Sequence, residues 1–191
     1  MKENRIEPIL RLAAACGYER EHAQQVKKIA LCLFDGLRTL HRLKQRHRFL
    51  LEAAGILHDI GWRRGQKRHH KTSRDIILAA DDLPFSGAER TMVALIARYH
   101  RNALPKKSHK YYADLSAREK ITVRILAAFL RCADGLDRSH SAAVDAVSCR
   151  ATGKNITLKI SPQEIPGVDR HSGQLKSDLL NDVFRRKILI A

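Results

Sequence analysis

Over most of its length the chain repeats apolar residues every three or four positions, the spacing that places them on one face of an α-helix. A first stripe over residues 6–13 is followed by Gly17, a residue suited to end a helix. A second stripe begins near Arg20, and His22 lies one turn before Val26 on its apolar face. The pattern therefore predicts a helix that buries a histidine.

Four more helices are predicted before the character of the chain changes. They cover about residues 46–58, 72–80, 86–100 and 116–137. Ser86 with Glu89, and Ser116 with Glu119, are Ser-x-x-Glu capping boxes that mark the starts of the last two. Residues 101–115 between these helices form a basic loop.

After residue 142 the pattern becomes strand-like. Ile156, Leu158 and Ile160 alternate with polar residues behind a "TGKN" turn, which predicts a β-hairpin, and residues 175–189 return to the helical period. We therefore expect one mainly α domain over residues 1–191, with a helical core to about residue 142. The hairpin and closing helix, about residues 143–190, are expected to be structural cover, because an isolated hairpin is marginal in water.

Composition adds a strong positive charge. The chain of 191 residues has 36 Lys and Arg against 20 Asp and Glu, a net charge of +16. Such a field favours a polyanionic partner such as polyphosphate, a nucleotide or nucleic acid. The aromatic content of 5% gives little support to a stacking platform for single-stranded nucleic acid.

Cysteine usage and hydropathy suggest the compartment. The four cysteines, Cys16, Cys32, Cys132 and Cys149, show no Cys-x-x-Cys spacing, which predicts reduced thiols in a cytoplasmic protein. No stretch has the roughly 18 apolar residues of a membrane-spanning helix, and the charged N-terminus lacks the apolar segment of a signal peptide. We expect a soluble protein without a membrane partner, and the sequence does not indicate its oligomeric state.

Four polar residues interrupt the apolar helical faces. They are His22, the pair His58 and Asp59 at the end of the third helix, and Asp134 in the sixth. Buried charge is costly unless it is paired or binds a metal, and facing helices of a bundle can hold an ion in this way. Each residue alone is more simply a core or capping residue, and Asp59 could cap the turn at Gly61. Together they predict a divalent cation site.

The order of these four residues resembles the HD-domain superfamily of metal-dependent phosphohydrolases. The segments "LLEAAGILHDIGW", "HHKTSRDIIL", "ARYHRNALPK" and "LAAFLRCADGLDRS" are similar to the C-terminal HD domain of the exopolyphosphatase and guanosine pentaphosphate phosphohydrolase (Ppx/GppA) family, over about residues 15–185. The resemblance implies an HD-domain helical bundle. In that family the phosphatase chemistry belongs to an actin-like domain pair whose glycine-rich loops are absent here, so exopolyphosphatase activity is not implied.

The resemblance also implies further metal ligands. His69 and His70, before the fourth helix, and His100, at the end of the fifth, stand where two-metal HD enzymes bind their second ion. Thr72 stands where a histidine is common, which leaves open whether His69 or His70 faces the site; a solvated His69 is the alternative. Mixed imidazole and carboxylate ligands suit one or two ions of Mn, Fe, Co, Ni or Zn, with Mg possible.

The implied chemistry is hydrolysis of a phosphate ester or anhydride. Asp59 would bridge two ions and, with His58 and Lys71, is a candidate catalytic residue, while a water activated by metal would attack phosphorus. Six basic residues could bind substrate phosphates or could be solvated surface residues: Lys71, Arg98, Arg101, Lys106, Lys107 and Arg138. The predicted function is an HD-type phosphohydrolase acting on a nucleotide or another polyanionic phosphorylated substrate. The alternative is a non-catalytic module that binds polyphosphate, nucleotide or RNA.

Overall fold

The computed structural model describes residues 5–101 and 103–191. Residues 1–4 of the charged N-terminus and residue 102 of the basic loop lie outside the described residues. The helices are α1 Glu7–Ala15, α2 Arg20–Gly36, α3 Arg38–His41, α4 Gln45–Leu57, α5 His69–Ala79, α6 Gly87–Arg98, α7 Ala117–Gly135, α8 Gly167–Lys176 and α9 Asp178–Phe184. The strands are β1 Ala146–Ala151, β2 Asn155–Ser161 and β3 Lys187–Ile190. The prediction of a mainly α fold is confirmed.

The helical core is built as the apolar pattern predicts. Helix α2 packs against α4 and α7, and its apolar residues Val26 and Leu33 are completely buried. Both capping boxes are present: the hydroxyls of Ser86 and Ser116 each accept a hydrogen bond, 3.3 Å long, from the backbone N–H three residues later. These caps fix where α6 and α7 begin.

Helix α5 begins three residues earlier than predicted. The first turn of α5 starts at His69, directly after the short 3₁₀ turns Trp62–Arg64 and Gln66–Arg68. His69 and His70 are therefore helical residues rather than part of the preceding loop. The basic run in this segment hides the helical period, because its polar residues give no apolar stripe to follow.

The C-terminal segment differs from the single closing helix that was predicted. It forms two helices, α8 and α9, and Arg185 then takes a left-handed conformation with φ of 50° that ends α9. Strand β3 follows and pairs parallel with β2, so the sheet order is β1-β2-β3. Ile188 is almost completely buried. A strand of four residues is too short to stand out from helical periodicity in the sequence.

The sheet and the last two helices pack on the helical core. Strand β1 lies against α2, while α8 and α9 lie against α7. Ile156, Leu158 and Leu179 are completely buried. The four cysteines form no disulfide within the described part of the chain. Over the same residues, no helix combines the length and the hydropathy needed to cross a membrane.

Candidate metal centre

The ends of five helices meet at one place and bring together two clusters of histidine and aspartate. The first cluster consists of His22, His58 and Asp134. The Nε2 atom of His22 lies 3.3 Å from Nε2 of His58 and 3.6 Å from Oδ1 of Asp134. Nε2 of His58 lies 3.9 Å from the same oxygen. All three side chains are buried, so the polar residues predicted to converge from α2, α4 and α7 do so.

The second cluster consists of Asp59, His69 and His100. Oδ1 of Asp59 lies 3.1 Å from Nε2 of His69 and 3.3 Å from Nε2 of His100. The two imidazole nitrogens are 3.2 Å apart. His69 is 2% exposed, so the alternative of a solvated His69 is wrong.

Asp59 joins the two clusters. Its Oδ1 belongs to the second cluster, while its Oδ2 lies 3.7 Å from Nε2 of His58 in the first. The carboxylate follows directly after the last turn of α4, where the chain turns towards the 3₁₀ segment. Its two oxygens thus face different sets of imidazoles.

Three of the imidazoles are oriented by the backbone. The Nδ1 atoms of His58, His69 and His100 lie 2.8, 2.8 and 2.6 Å from the carbonyl oxygen of the residue three positions earlier. A carbonyl only accepts, so each Nδ1–H is the donor and each Nε2 carries a lone pair. Metal-binding histidines are commonly held in this way by their other ring nitrogen.

His22 is oriented by a carboxylate that the sequence analysis did not single out. Its Nδ1 donates to Oδ2 of Asp137 over 2.8 Å, and Oδ1 of Asp137 accepts from the backbone N–H of Ala142 over 2.9 Å. Asp137 is completely buried. The signal that could have found it is its spacing of one helical turn from Asp134.

The donor set fits a divalent cation. In the second cluster the imidazole lone pairs of His69 and His100 face one another at 3.2 Å, where two acceptors cannot form a hydrogen bond without a proton or a cation between them. Oδ1 of Asp59 is buried and has no hydrogen-bond partner among the described residues. Four imidazoles and two carboxylates are ligands typical of Mn, Fe, Co, Ni and Zn.

Electrostatics keep most of these ligands ready to bind a cation. Burial lowers the pKa of His58 and lowers that of His100 to about 3, which favours neutral imidazoles. Burial opposes ionisation of Asp59, but the neighbouring His58 and His69 hold the pKa of its carboxyl well below the usual range. His22 differs: burial favours its neutral form, yet the carboxylates of Asp134 and Asp137 raise its pKa to about 10.

A cavity of about 280 Å³ opens beside Asp59. Its lining residues include Glu19, Trp62, Arg63 and His140. The ring of His140 is stacked on His22, with centroids 3.8 Å apart and planes at 4°, and its Nδ1 lies 2.9 Å from a carboxylate oxygen of Glu19. These four lining residues were not among the sequence candidates. Asp59 is the member of the two clusters that lines this cavity.

The structure does not bring His70 into either cluster. His70 is buried, its ring is edge-on to that of His69 with centroids 5.7 Å apart, and its Nδ1 has no hydrogen-bond partner among the described residues. Burial, with the positive charges around it, lowers its pKa to about 4. Of the two histidines left open by the sequence, the geometry favours His69.

The basic candidates are placed at several distinct positions. Arg101 donates to the carbonyl of Gln66 over 3.0 Å, which is also the carbonyl that holds His69. Arg98 is buried, with its guanidinium 5.3 Å from the centroid of the Tyr99 ring. Lys106, Lys107 and Arg138 are exposed on the surface. None of these five lines the cavity beside Asp59.

Lys71 lines a separate basic groove of about 420 Å³ near the N-terminus of α5. We name this surface the α5 groove, and its cationic residues are Arg64, Lys67, Arg68, Lys71 and Arg74. Asp75 is its acidic residue and is paired with Arg74 at 2.6 Å. The groove is therefore strongly positive.

A comparison with known families finds a match over most of the chain. A family model described as Ppx/GppA phosphatase, domain III, matches residues 5–181. The matched region includes all residues of both clusters and the α5 groove. A comparison with curated proteins finds no match.

Proposed function

The chain belongs to the Ppx/GppA phosphatase domain III family, and from this premise we propose that it is a metal-dependent phosphohydrolase of the HD type. Its substrate would be a phosphate ester or anhydride in a nucleotide or another polyanionic phosphorylated molecule. The observation that supports this proposal is the pair of clusters of buried histidines and carboxylates that Asp59 links, with a cavity beside Asp59.

In this proposal the clusters hold one or two divalent transition metal ions. His22, His58 and Asp134 would hold one ion, His69 and His100 would hold the other, and the carboxylate of Asp59 lies between the two clusters. A divalent ion in such a site lowers the pKa of water and neutralises phosphoryl oxygens. The protein supplies two ionised carboxylates, and the backbone carbonyls hold three imidazoles with Nε2 directed inward.

The cavity walls suggest how a phosphorylated molecule would be held. Arg63 supplies a cation beside Asp59, and a planar guanidinium matches the geometry of phosphate oxygens. Lys71 lines the α5 groove and not the cavity beside Asp59, so we assign it to phosphate binding in that groove rather than to proton transfer. Catalytic roles remain proposed for His58 and Asp59.

A second candidate function is supported by the α5 groove itself. Five cations on one open surface, outside both clusters, would bind a polyanion without any need for hydrolysis. A module of this kind would hold polyphosphate, nucleotide or RNA for another protein. Turnover distinguishes the two functions, because both predict binding and only the phosphohydrolase predicts release of phosphate.

The test is reconstitution of the purified chain after removal of metal with a chelator. The protein would be loaded separately with Mn²⁺, Fe²⁺, Co²⁺, Ni²⁺ or Zn²⁺, and its metal content would be measured by elemental analysis. Phosphate release would then be measured with an aryl phosphate, nucleoside triphosphates and tripolyphosphate as substrates. We expect metal-dependent release that Asp59→Asn abolishes together with metal content. The control His171→Ala removes an exposed histidine that belongs to neither cluster and should change nothing. Metal binding without turnover of any of these substrates would favour the binding module.

A further inference from the structure

The second oxygen of Asp134 is held by the C-terminal segment. Lys176, the last residue of α8, donates from Nζ to Oδ2 of Asp134. The other oxygen, Oδ1, faces Nε2 of His22 and Nε2 of His58. We propose that Lys176 is a positioning residue that fixes Asp134 for metal binding, an inference that rests on the metal centre of the proposed function.

The buried charge of Asp134 is compensated by its contact with Lys176. Its side chain is 9% exposed, and Lys176 is the cationic partner of Oδ2 among the described residues. A buried carboxylate without a compensating partner is strongly unfavourable. With Oδ2 held, the carboxylate has one orientation, in which Oδ1 alone is directed at the two imidazoles.

The backbone fixes the reach of Lys176. Helix α8 crosses the end of α7 so closely that a Cβ on Gly135 would lie 2.8 Å from the carbonyl oxygen of Ser172. A Cβ on Gly173 would lie 2.6 Å from a methyl carbon of Leu136. These two glycines allow the helices to touch beside Asp134. Lys176, three residues after Gly173, is therefore positioned by rigid packing rather than by a flexible loop.

The ion pair between Lys176 and Asp134 has its cation and its carboxylate on the opposite elements from those of the neighbouring ion pairs. Helix α7 makes two other ion pairs to the C-terminal segment, Arg131 with Asp178 and Arg124 with Asp182. In both, the cation is on α7 and the carboxylate is on the C-terminal segment. Packing would be served equally by either polarity. The pair nearest the cluster instead places the carboxylate on α7, where it faces the imidazoles of His22 and His58.

Lys176 acts through Asp134, and it contacts no other member of either cluster among the described residues. Residues that hold a metal ligand in this way typically contribute about 10–100-fold to metal affinity. The C-terminal segment would then be part of the metal centre as well as cover for the core.

The test uses the full chain, freed of metal, and Co²⁺ as the probe. The dissociation constant would be measured by chelator competition and the coordination followed by the visible absorption of Co²⁺. We expect Lys176→Met to weaken Co²⁺ binding about 10–100-fold, and we expect Lys176→Arg to recover most of the affinity. The matched control is Arg131→Met, which removes a similar α7 ion pair outside the clusters and should lower thermal stability without changing the Co²⁺ affinity or spectrum.

Each outcome bears on the inference. Unchanged Co²⁺ affinity in Lys176→Met would overturn it, and so would tighter binding, because the lysine would then compete with metal for the carboxylate. If Lys176→Met does not fold, Lys176→Gln takes its place, because glutamine keeps a hydrogen-bond donor without the charge. We expect Lys176→Gln to bind Co²⁺ more weakly than the wild-type protein and Lys176→Arg do, but more tightly than a protein whose metal site is fully disrupted. A wild-type chain that binds no Co²⁺ would overturn the metal centre itself, a result distinct from failure of the positioning role alone.

Discussion

Nε2 of His69 lies 3.2 Å from Nε2 of His100, with the two rings nearly parallel at 18°. Both rings donate from Nδ1 to a backbone carbonyl, so both Nε2 atoms are acceptors. Two acceptor lone pairs at this distance repel one another unless a positive charge lies between them. Oδ1 of Asp59 adds a third acceptor beside the pair. The arrangement is understandable as the ligand set of a cation.

The contact between His69 and His100 distinguishes His69 from the adjacent His70 as a metal ligand. We expect His69→Ala to reduce the metal content of the reconstituted protein, because it removes a ligand of the second cluster. His70→Ala should leave the metal content unchanged, because His70 belongs to neither cluster. Elemental analysis of both variants, prepared side by side, is the measurement. Loss of metal from His70→Ala with retention in His69→Ala would mean that the assignment is reversed.

The sequence predicted the convergence of His22, His58 and Asp134 because each is a polar residue within a strong apolar stripe. Such residues can be assigned to the inner face of a helix from spacing alone. The choice between His69 and His70 could not be made in the same way, since the polar segment before Ile76 carries no stripe from which the rotation of α5 can be read. In the structure α5 begins at His69, and His69 rather than His70 lies in the second cluster.

Other parts of the site depend on contacts between distant segments. His140 reaches His22 from a loop with φ of 57°, a conformation that the apolar pattern does not indicate. Lys176 meets Asp134 from 42 positions away, through packing of α8 that two glycines permit. Strand β3 was mistaken for helix because its partner β2 lies far along the chain. Local periodicity contains no information about these partnerships.

A second prediction concerns the carboxylate behind His22. Asp137→Asn should weaken metal binding about 10–100-fold, because the amide no longer fixes the His22 tautomer that directs its Nε2 at the cluster. The substitution keeps the size of the side chain and can keep the bond from Ala142. Metal titration gives the affinity, and ¹⁵N NMR of the imidazole reports the tautomer. Unchanged affinity together with an unchanged tautomer would contradict the role of Asp137.

A third prediction concerns the stability of the metal-free protein as pH changes. The pKa of His22 is raised from 6.5 to about 10, so the stability it contributes is present below pH 6.5 and is lost as pH rises towards 10. Burial lowers the pKa of His100 from 6.5 to about 3, so below pH 6.5 the unfolded state takes up a proton first and stability falls again. Stability should therefore be highest near pH 6.5.

Urea unfolding in the presence of a chelator, repeated from pH 4 to pH 10, measures this dependence. The variant His22→Gln should lose the decline between pH 6.5 and pH 9 and keep the decline on the acid side, while the buried thiols of Cys132 and Cys149 add a decline of their own above pH 9. An alkaline decline of the same size in His22→Gln would show that another group is responsible.

A fourth prediction concerns the C-terminal segment as cover for the core. Truncation after residue 142 should cause loss of soluble protein, because it exposes the faces of α2 and α7 that β1, α8 and α9 bury. It also removes the carbonyl of Val144, which accepts a hydrogen bond from the buried Gln25. A shorter truncation that removes only residues 187–191 should lower the melting temperature and leave a folded chain. A soluble, metal-loaded fragment ending at residue 142 would contradict this prediction.

The last prediction concerns the net charge of +16 and which surface uses it. The α5 groove concentrates five cations around a concave surface, whereas Lys106 and Lys107 are exposed on the loop after α6. Attraction between exposed charges is screened beyond about 8 Å at physiological salt, so a polyanion must contact a surface closely to benefit from it. We therefore expect the double variant Lys67→Ala, Arg68→Ala to weaken tripolyphosphate binding about tenfold, as the loss of two exposed ion pairs of up to about 1 kcal/mol each would.

The double variant Lys106→Ala, Lys107→Ala is the matched control, because it changes the net charge by the same amount. Calorimetry at several salt concentrations measures the affinity of both double variants. Equal losses of affinity and of salt dependence in the two variants would show that overall charge, rather than the α5 groove, recruits the polyanion.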